Sequence, residues 1–289
     1  VDAIVRVDGI EHVEVSVRDR ERQVLASADG ARRSESGIQI LPRHELFDPL
    51  LADPREPHFS AVYQWYLDDD ELTHVGSANF GESFALLGGP LGGDARWELG
   101  LMGGVFSVFD LDAASSDLVN TDFWVGPTLS FERGRASARL RLFHQSSHLG
   151  DEFLLRNRPD RVNLSYEGVD LVGSFQVHPA LRVYAGGGVL VHTEPDLDPL
   201  SIQAGAELRS PIAFLDDLVR PVAAFDYQST EENDWREELS TVAGFEIANP
   251  EVSDLRLMLL ASWFKGNSPN GQFWERRIDL FGLGAHLYF

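Results

Sequence analysis

From about His58 onward, apolar and polar residues alternate in runs separated by Gly, Pro, Asn and Asp. Successive side chains of a strand point to opposite faces, so each run predicts a strand with one apolar and one polar side. The runs fall at 58–67, 73–88, 95–109, 119–132, 135–149, 161–178, 180–193, 200–210, 219–229, 237–248, 254–266 and 276–289. In the last, Phe281, Leu283, Ala285, Leu287 and Phe289 share one face, opposite Gly282, Gly284, His286 and Tyr288. In 255–263, Leu255, Leu257, Leu259, Ala261 and Trp263 oppose Arg256, Met258, Leu260 and Ser262. Leu200, Ile202, Ala204, Ala206 and Leu208 likewise oppose Ser201, Gln203, Gly205, Glu207 and Arg209.

Roughly twelve such strands, the last closing on an aromatic residue, predict an all-β chain: a transmembrane antiparallel β-barrel with lipid on its apolar side. Connection lengths agree. The links at 132–135, 178–180 and 249–254 are short and become periplasmic turns. Those at 149–160, 193–199, 230–236 and 266–275 are longer and become external loops. The predicted location is the bacterial outer membrane.

Composition removes other classes. No stretch reaches the roughly 18 apolar residues of a spanning helix, so a helical membrane protein is excluded. Barrel strands dilute their apolar residues with polar ones, which accounts for 43% hydrophobic residues and a mean hydropathy of only −0.16. There is no Cys, hence no disulfide framework and no thiolate metal site. The net charge of −22 argues against nucleic acid as a partner. The acids cluster in Asp68-Asp69-Asp70-Glu71, in 194–198 and in Glu231-Glu232-Asn233-Asp234, which read as exposed loop tips. Val1 opens without a charged and then apolar leader, so any signal peptide is expected to have been removed.

Residues 1–56 lack the barrel rhythm. Val13, Val15 and Val17 alternate with Glu14, Ser16 and Arg18, and a Pro-rich stretch follows through Pro42, Pro49 and Pro54. This predicts a small N-terminal periplasmic arm and linker over 1–56, ahead of a barrel over 57–289; an extra strand pair is the alternative. The arm is a candidate site for a protein partner. Within the barrel, Glu98, Arg139, Arg141, Arg182, Glu207, Arg209, Arg220, Asp226, Glu246 and Arg256 fall on the inward face. Charges of both signs in a narrow lumen predict paired structural networks, with a narrow solute pathway as the alternative.

One stretch departs from a lipid-facing apolar side. In 135–149, Ala136, Ala138, Leu140 and Leu142 face outward, and the same parity carries His144, Ser146 and His148 outward. A strand tilted by about 40° climbs roughly 2.6 Å per residue, which lifts His144 about 23 Å above Arg135, near the outer rim of the apolar band. On the next strand the parity of Val169, Leu171, Phe175 and Val177 carries Asn163, Ser165 and Glu167 outward as well. Pairing His148 with Arg161 would set Ser146 against Asn163 and His144 against Ser165. His144 and Ser146, two apart on one face, have the spacing of a base and a hydroxyl nucleophile. Asn163 or Glu167 would orient the imidazole. Asp151 and Glu152 would supply oxygen ligands for a calcium ion beside a developing oxyanion. The plainer alternative is that Ser146-Ser147-His148 begins an external loop.

A His-x-Ser pair on a lipid-facing strand, with an Asn on the neighbouring strand, resembles outer-membrane phospholipase A, a twelve-stranded calcium-dependent barrel enzyme. The resemblance implies His144 as base, Ser146 as nucleophile and Asn163 as orienting group. The chain departs from it in lacking the Asn-Gly that follows that family's Ser, and in a longer spacing to Asn163. A second resemblance spans most of the chain. The segment Phe47-Asp48-Pro49-Leu50-Leu51-Ala52-Asp53-Pro54-Arg55-Glu56-Pro57, with Asn79-Phe80-Gly81, 146–152 and Val162-Asn163-Leu164-Ser165, resembles an uncharacterised family of bacterial outer-membrane proteins. Two functions are therefore expected: a calcium-dependent hydrolase of phospholipid or lipopolysaccharide acyl esters, or a non-enzymatic barrel that serves as a narrow channel or membrane anchor. His58, His74, His178, His192 and His286 lack metal-ligand spacing and read as structural.

Overall fold

A computed structural model describes residues 37–289 apart from 44, 68, 70, 160, 161 and 250–252. The sheet consists of β1 (Gln39–Ile40), β2 (Phe59–Tyr66), β3 (His74–Gly92), β4 (Ala95–Asp110), β5 (Asp117–Arg133), β6 (Ala136–Leu149), β7 (Leu164–His178), β8 (Leu181–Glu194), β9 (Leu200–Arg209), β10 (Val219–Thr230), β11 (Glu238–Ala248), β12 (Arg256–Asn267) and β13 (Arg277–Tyr288). Each of β2–β13 pairs antiparallel with its neighbours in sequence, and β13 pairs back onto β2, so twelve strands close a barrel. Closure removes the open sheet edges that lipid cannot satisfy.

The expected alternation sets the faces. Met258 and Leu260 are buried inside while Leu259 is exposed outside, and Asp122, Trp124, Thr128 and Ser130 are inside while Phe123, Val125 and Phe131 are outside. One end carries the two-residue links Gly93-Asp94, Gly134-Arg135 and Pro179-Ala180 together with the longer 210–218, and the other carries the helix-bearing loop after β6. We call these the turn end and the loop end; they correspond to the periplasmic and external sides. Two features were not expected. A helix, α1 (Asp151–Asn157), forms in the loop after β6, with Asp151 and Glu152 in its first turn, Arg156 in its last and Phe153 buried. That order of charges complements the helix dipole. The second is the short β1, which pairs with Leu87–Gly88 of β3. β2 covers β3 only along His74–Asn79, so β1 shields part of the edge left free toward the turn end.

The lumen is filled from two sources. Toward the loop end, Tyr66, Leu72, Val75, Val108, Val119, Phe264, Ile278 and Leu280 form an apolar cluster with Phe153 of α1. The rest of the interior receives residues 45–57. Phe47 and Leu50 pack on Val172 and Tyr184, while Leu51 and Ala52 pack on Val222, Ala224 and Met258. The expectation of a linker outside the barrel therefore does not describe this segment. Its apolar side chains lack a strand period because they follow a loop path, and they are buried by the barrel wall. Residues 1–36 of the expected arm lie outside the described residues.

Candidate functional site

The inner face of β6 decides what its outer face presents. Arg139 and Arg141 point inward and meet Glu56, which is 0% exposed: Arg139 donates to both carboxylate oxygens at 2.6 and 2.7 Å, and Arg141 Nη1 lies 3.6 Å away. Arg141 also donates to Asp170 of β7 at 2.8 Å. Burial pushes the Glu56 carboxyl up, but the guanidinium groups of Arg139, Arg141 and Arg182 outweigh it and hold the group below the usual range. Higher on the strand, Ser147 donates to the Asp122 carboxylate and to Asn120 Oδ1 at 3.1 Å. Asp122 further accepts from Asn120 Nδ2 at 2.8 Å and from the Gly271 amide at 2.9 Å, and pairs with Arg55 at 3.0 Å. With residues 139, 141 and 147 locked inside, the alternation leaves 144, 146 and 148 outside.

His144, Ser146 and His148 accordingly lie on the outer face. The register with β7 differs from the expected one by two residues: Ser146 pairs with Ser165, and His144 with Glu167. A two-residue slip preserves the face and changes the neighbour. It arises because 162–163 belong to the loop, where Gln272 Nε2 donates to the Val162 carbonyl at 2.9 Å, and β7 starts only at Leu164. Asn163 is thus exposed beyond the strand end, and among the described residues no hydrogen bond joins it to His144. Glu167 occupies the orienting position instead: His144 Nδ1 lies 2.7 Å from Glu167 Oε1, with the imidazole 44% exposed. An Nδ1–H donated to Glu167 leaves Nε2 with its lone pair free, the form a general base requires. No hydrogen bond joins Ser146 to His144 in this structure.

A third strand contributes His192, which strict alternation from Leu181, Val183 and Ala185 would turn inward. Between Glu167/His192 and Gly168/Leu190 the β7–β8 ladder holds a bulge, and the extra residue, Val191, brings His192 to the outer side. His192 Nδ1 lies 2.9 Å from Glu167 Oε2, so one carboxylate sits between two imidazoles. Gly168, beside the bulge, makes room for Phe143 inside; a Cβ there would lie 2.5 Å from the ring. Nothing in the run 180–193 signals the bulge.

The proposed calcium ligands are placed less favourably. Asp151 and Glu152 are exposed, consecutive in one helical turn, and so diverge by about 100°. Calcium takes some 6–8 oxygen ligands. Among the described residues no group of three or more His, Cys, Asp or Glu is arranged to hold a metal, so these two carboxylates do not by themselves fit the ion. Of the remaining histidines, His58 and His286 meet inside, with His58 Nε2 at 2.8 Å from His286 Nδ1 and His58 Nδ1 at 2.7 Å from the Glu56 carbonyl. Burial pushes the pKa of His58 down.

A closed twelve-stranded barrel with an apolar exterior and a packed polar interior defines an outer-membrane β-barrel protein, located in the bacterial outer membrane. The chain belongs to the DUF1207 family of proteins of unknown function, whose model matches residues 11–289. No curated protein matches it. Among solved structures it is similar to outer membrane phospholipase A from Escherichia coli, at 15% identity over 84% of this chain and 94% of that one, with a TM-score of 0.55. The Salmonella typhi outer membrane phospholipase dimer with bound calcium is similar at 12% identity over 85% and 94%, with a TM-score of 0.54. The translocator domain of the autotransporter NalP from Neisseria meningitidis follows at 9% identity over 94% and 95%, with a TM-score of 0.41. At these identities the two phospholipase structures support the fold alone.

Proposed function

We propose that this protein hydrolyses acyl esters of outer-leaflet lipid, with Ser146 as nucleophile, His144 as general base and Glu167 as the residue that orients His144. The observation that carries this reading is the 2.7 Å contact between His144 Nδ1 and Glu167 on the outer face, with Ser146 two residues along the same strand. A Ser–His–acid set needs side chains from only two adjacent strands here, and Glu in the third role is an accepted variant. His144 Nε2 takes the Ser146 proton as Oγ bonds the acyl carbon, then returns it to the departing alcohol as the ester C–O bond breaks. Water, activated in the same way, releases the fatty acid and restores Ser146. A rotation of the Ser146 side chain toward Nε2 is required, as catalytic hydrogen bonds commonly tighten only with substrate present. Of the two residues expected to orient His144, Asn163 and Glu167, this reading takes Glu167.

The solved phospholipase barrels support the reading by analogy, because a barrel of this shape presents a lipid-facing strand to an ester at the membrane rim. The non-enzymatic alternative of a standing open channel is disfavoured by residues 45–57, which occupy the lumen. The test is fatty-acid release from detergent-dispersed phospholipid and lipopolysaccharide by wild type and Ser146→Ala, each with calcium and with chelator. Release by wild type alone supports the reading, and equal release by both removes it, leaving the membrane-anchor alternative. Calcium dependence would require ligands beyond Asp151 and Glu152.

A further inference from the structure

We infer that residues 45–57 form a displaceable plug, and that the barrel holds a latent conducting activity for small hydrophilic solutes that opens when this segment withdraws toward the turn end. The inference is independent of ester hydrolysis.

Topology permits the movement. The segment enters after β1, which sits near the turn end of β3, and leaves into Phe59 of β2, which pairs with Leu287 near the end of β13. Both of its ends therefore lie at the turn end, so it is a loop inserted from one side and can leave without threading. Among the described residues it contributes no strand to the wall. Its anchors run instead through side chains: Leu46 and Leu51 donate their amides to Glu98 and Glu207, Arg182 donates to the Asp48 and Pro49 carbonyls, and Gln203 and Gln228 donate to Asp53.

The wall it covers pairs an apolar part, which includes Val172, Val222, Ala224 and Met258, with a charged part. Arg139, Arg141, Arg182, Glu98, Glu207 and Asp122 point into the lumen, and water would hydrate these charges once the segment left. Two cavities of about 260 and 100 Å³ flank it, and Asp53, Pro54 and Arg55 line both. The apex of the segment, with Pro269 of the loop between β12 and β13, thus lies between them. The larger cavity extends to the exposed Asp198 at the loop end, so removal of the apex joins the loop end to the lower lumen.

The test uses the full chain in planar lipid bilayers with potassium chloride on both sides. Two variants loosen the segment by different chemistry. Glu56→Gln weakens the bond to Arg139, and Phe47→Ala removes the ring held between Arg139 and Arg182. The wild type is expected to be silent, and each folded variant to conduct at least about tenfold more, as a shift of the equilibrium from the seated to the withdrawn segment would give. Folding is checked by heat-modifiable mobility on gels. Conductance in either folded variant supports the inference. Folded variants as silent as wild type overturn it. So does loss of the folded barrel in both, which would make the segment an indispensable part of the core.

Discussion

The two faces of β6 carry similar residues to opposite ends. Inside, Ser147 is buried, bonded to Asn120 and Asp122, and tied through them to Arg55 and the loop at Gly271. Outside, Ser146 has the same side chain and none of that network, and it shares its face with His144 and Glu167. The inner polar groups around Ser147 are explained by structure, since Ser147, Asn120 and Asp122 bond one another in a closed space. The outer ones stand where a barrel presents apolar residues, and structure does not require them. The proposed hydrolytic site rests on this contrast between a polar cluster on the lipid side and a packed polar network on the lumen side.

Substitutions at the two serines break this comparison most sharply. Ser146→Ala is expected to lower ester hydrolysis by about 10³-fold or more with an unchanged unfolding midpoint. Ser147→Ala is expected to cost about 1–2 kcal/mol of stability in denaturant titrations while hydrolysis persists. Swapped outcomes would invert the assignment of the faces. Next in size, Glu56→Ala leaves Arg139 buried without its partner and is expected to destabilise the barrel by roughly 3–5 kcal/mol. Glu167→Gln removes the charge behind His144, and hydrolysis is expected to fall by about 10²-fold; Asn163→Ala should change it less than about twofold.

The smallest effect concerns pH. Burial pushes the Glu45 carboxyl up to about 7. A carboxyl raised on folding contributes stability that is full below its ordinary value near 4.5 and is lost as pH rises through 7. Glu56 has the opposite sign: held low by arginines, it contributes above its ordinary value, and that contribution is lost as pH falls through the folded one. Glu45→Gln is accordingly expected to raise the unfolding midpoint at pH 8, by on the order of 1 kcal/mol, and to leave it nearly unchanged at pH 5. An equal effect at both values would show that Glu45 does not hold its proton in the folded barrel.

The barrel was legible because its signal is local. Two-residue alternation needs only neighbours in sequence, so strand number, faces and the outward placement of His144, Ser146 and His148 could be read directly. Pairing between strands is not local. The register of β6 against β7 depended on the loop between them, whose helix is anchored by Phe153, and Glu167 rather than Ser165 came to lie beside His144. The bulge at Val191 left no mark in composition, and it brought His192 to the outer face. Residues 45–57 read as a linker because they combine prolines with no period. Their buried Phe47, Leu50 and Leu51, and the unpaired excess of inward arginines on β6, were the signals that a lumen segment was missing from the reading.

Covalent trapping tests the account most directly. Incubation with a lipid-like fluorophosphonate, followed by intact-mass and peptide analysis, is predicted to give one adduct, on Ser146, in wild type. The same treatment should give none in His144→Ala, whose nucleophile lacks its base. An unmodified folded wild type, or equal labelling of Ser146 with and without His144, would contradict the claim that the outer face of β6 is a hydrolytic site.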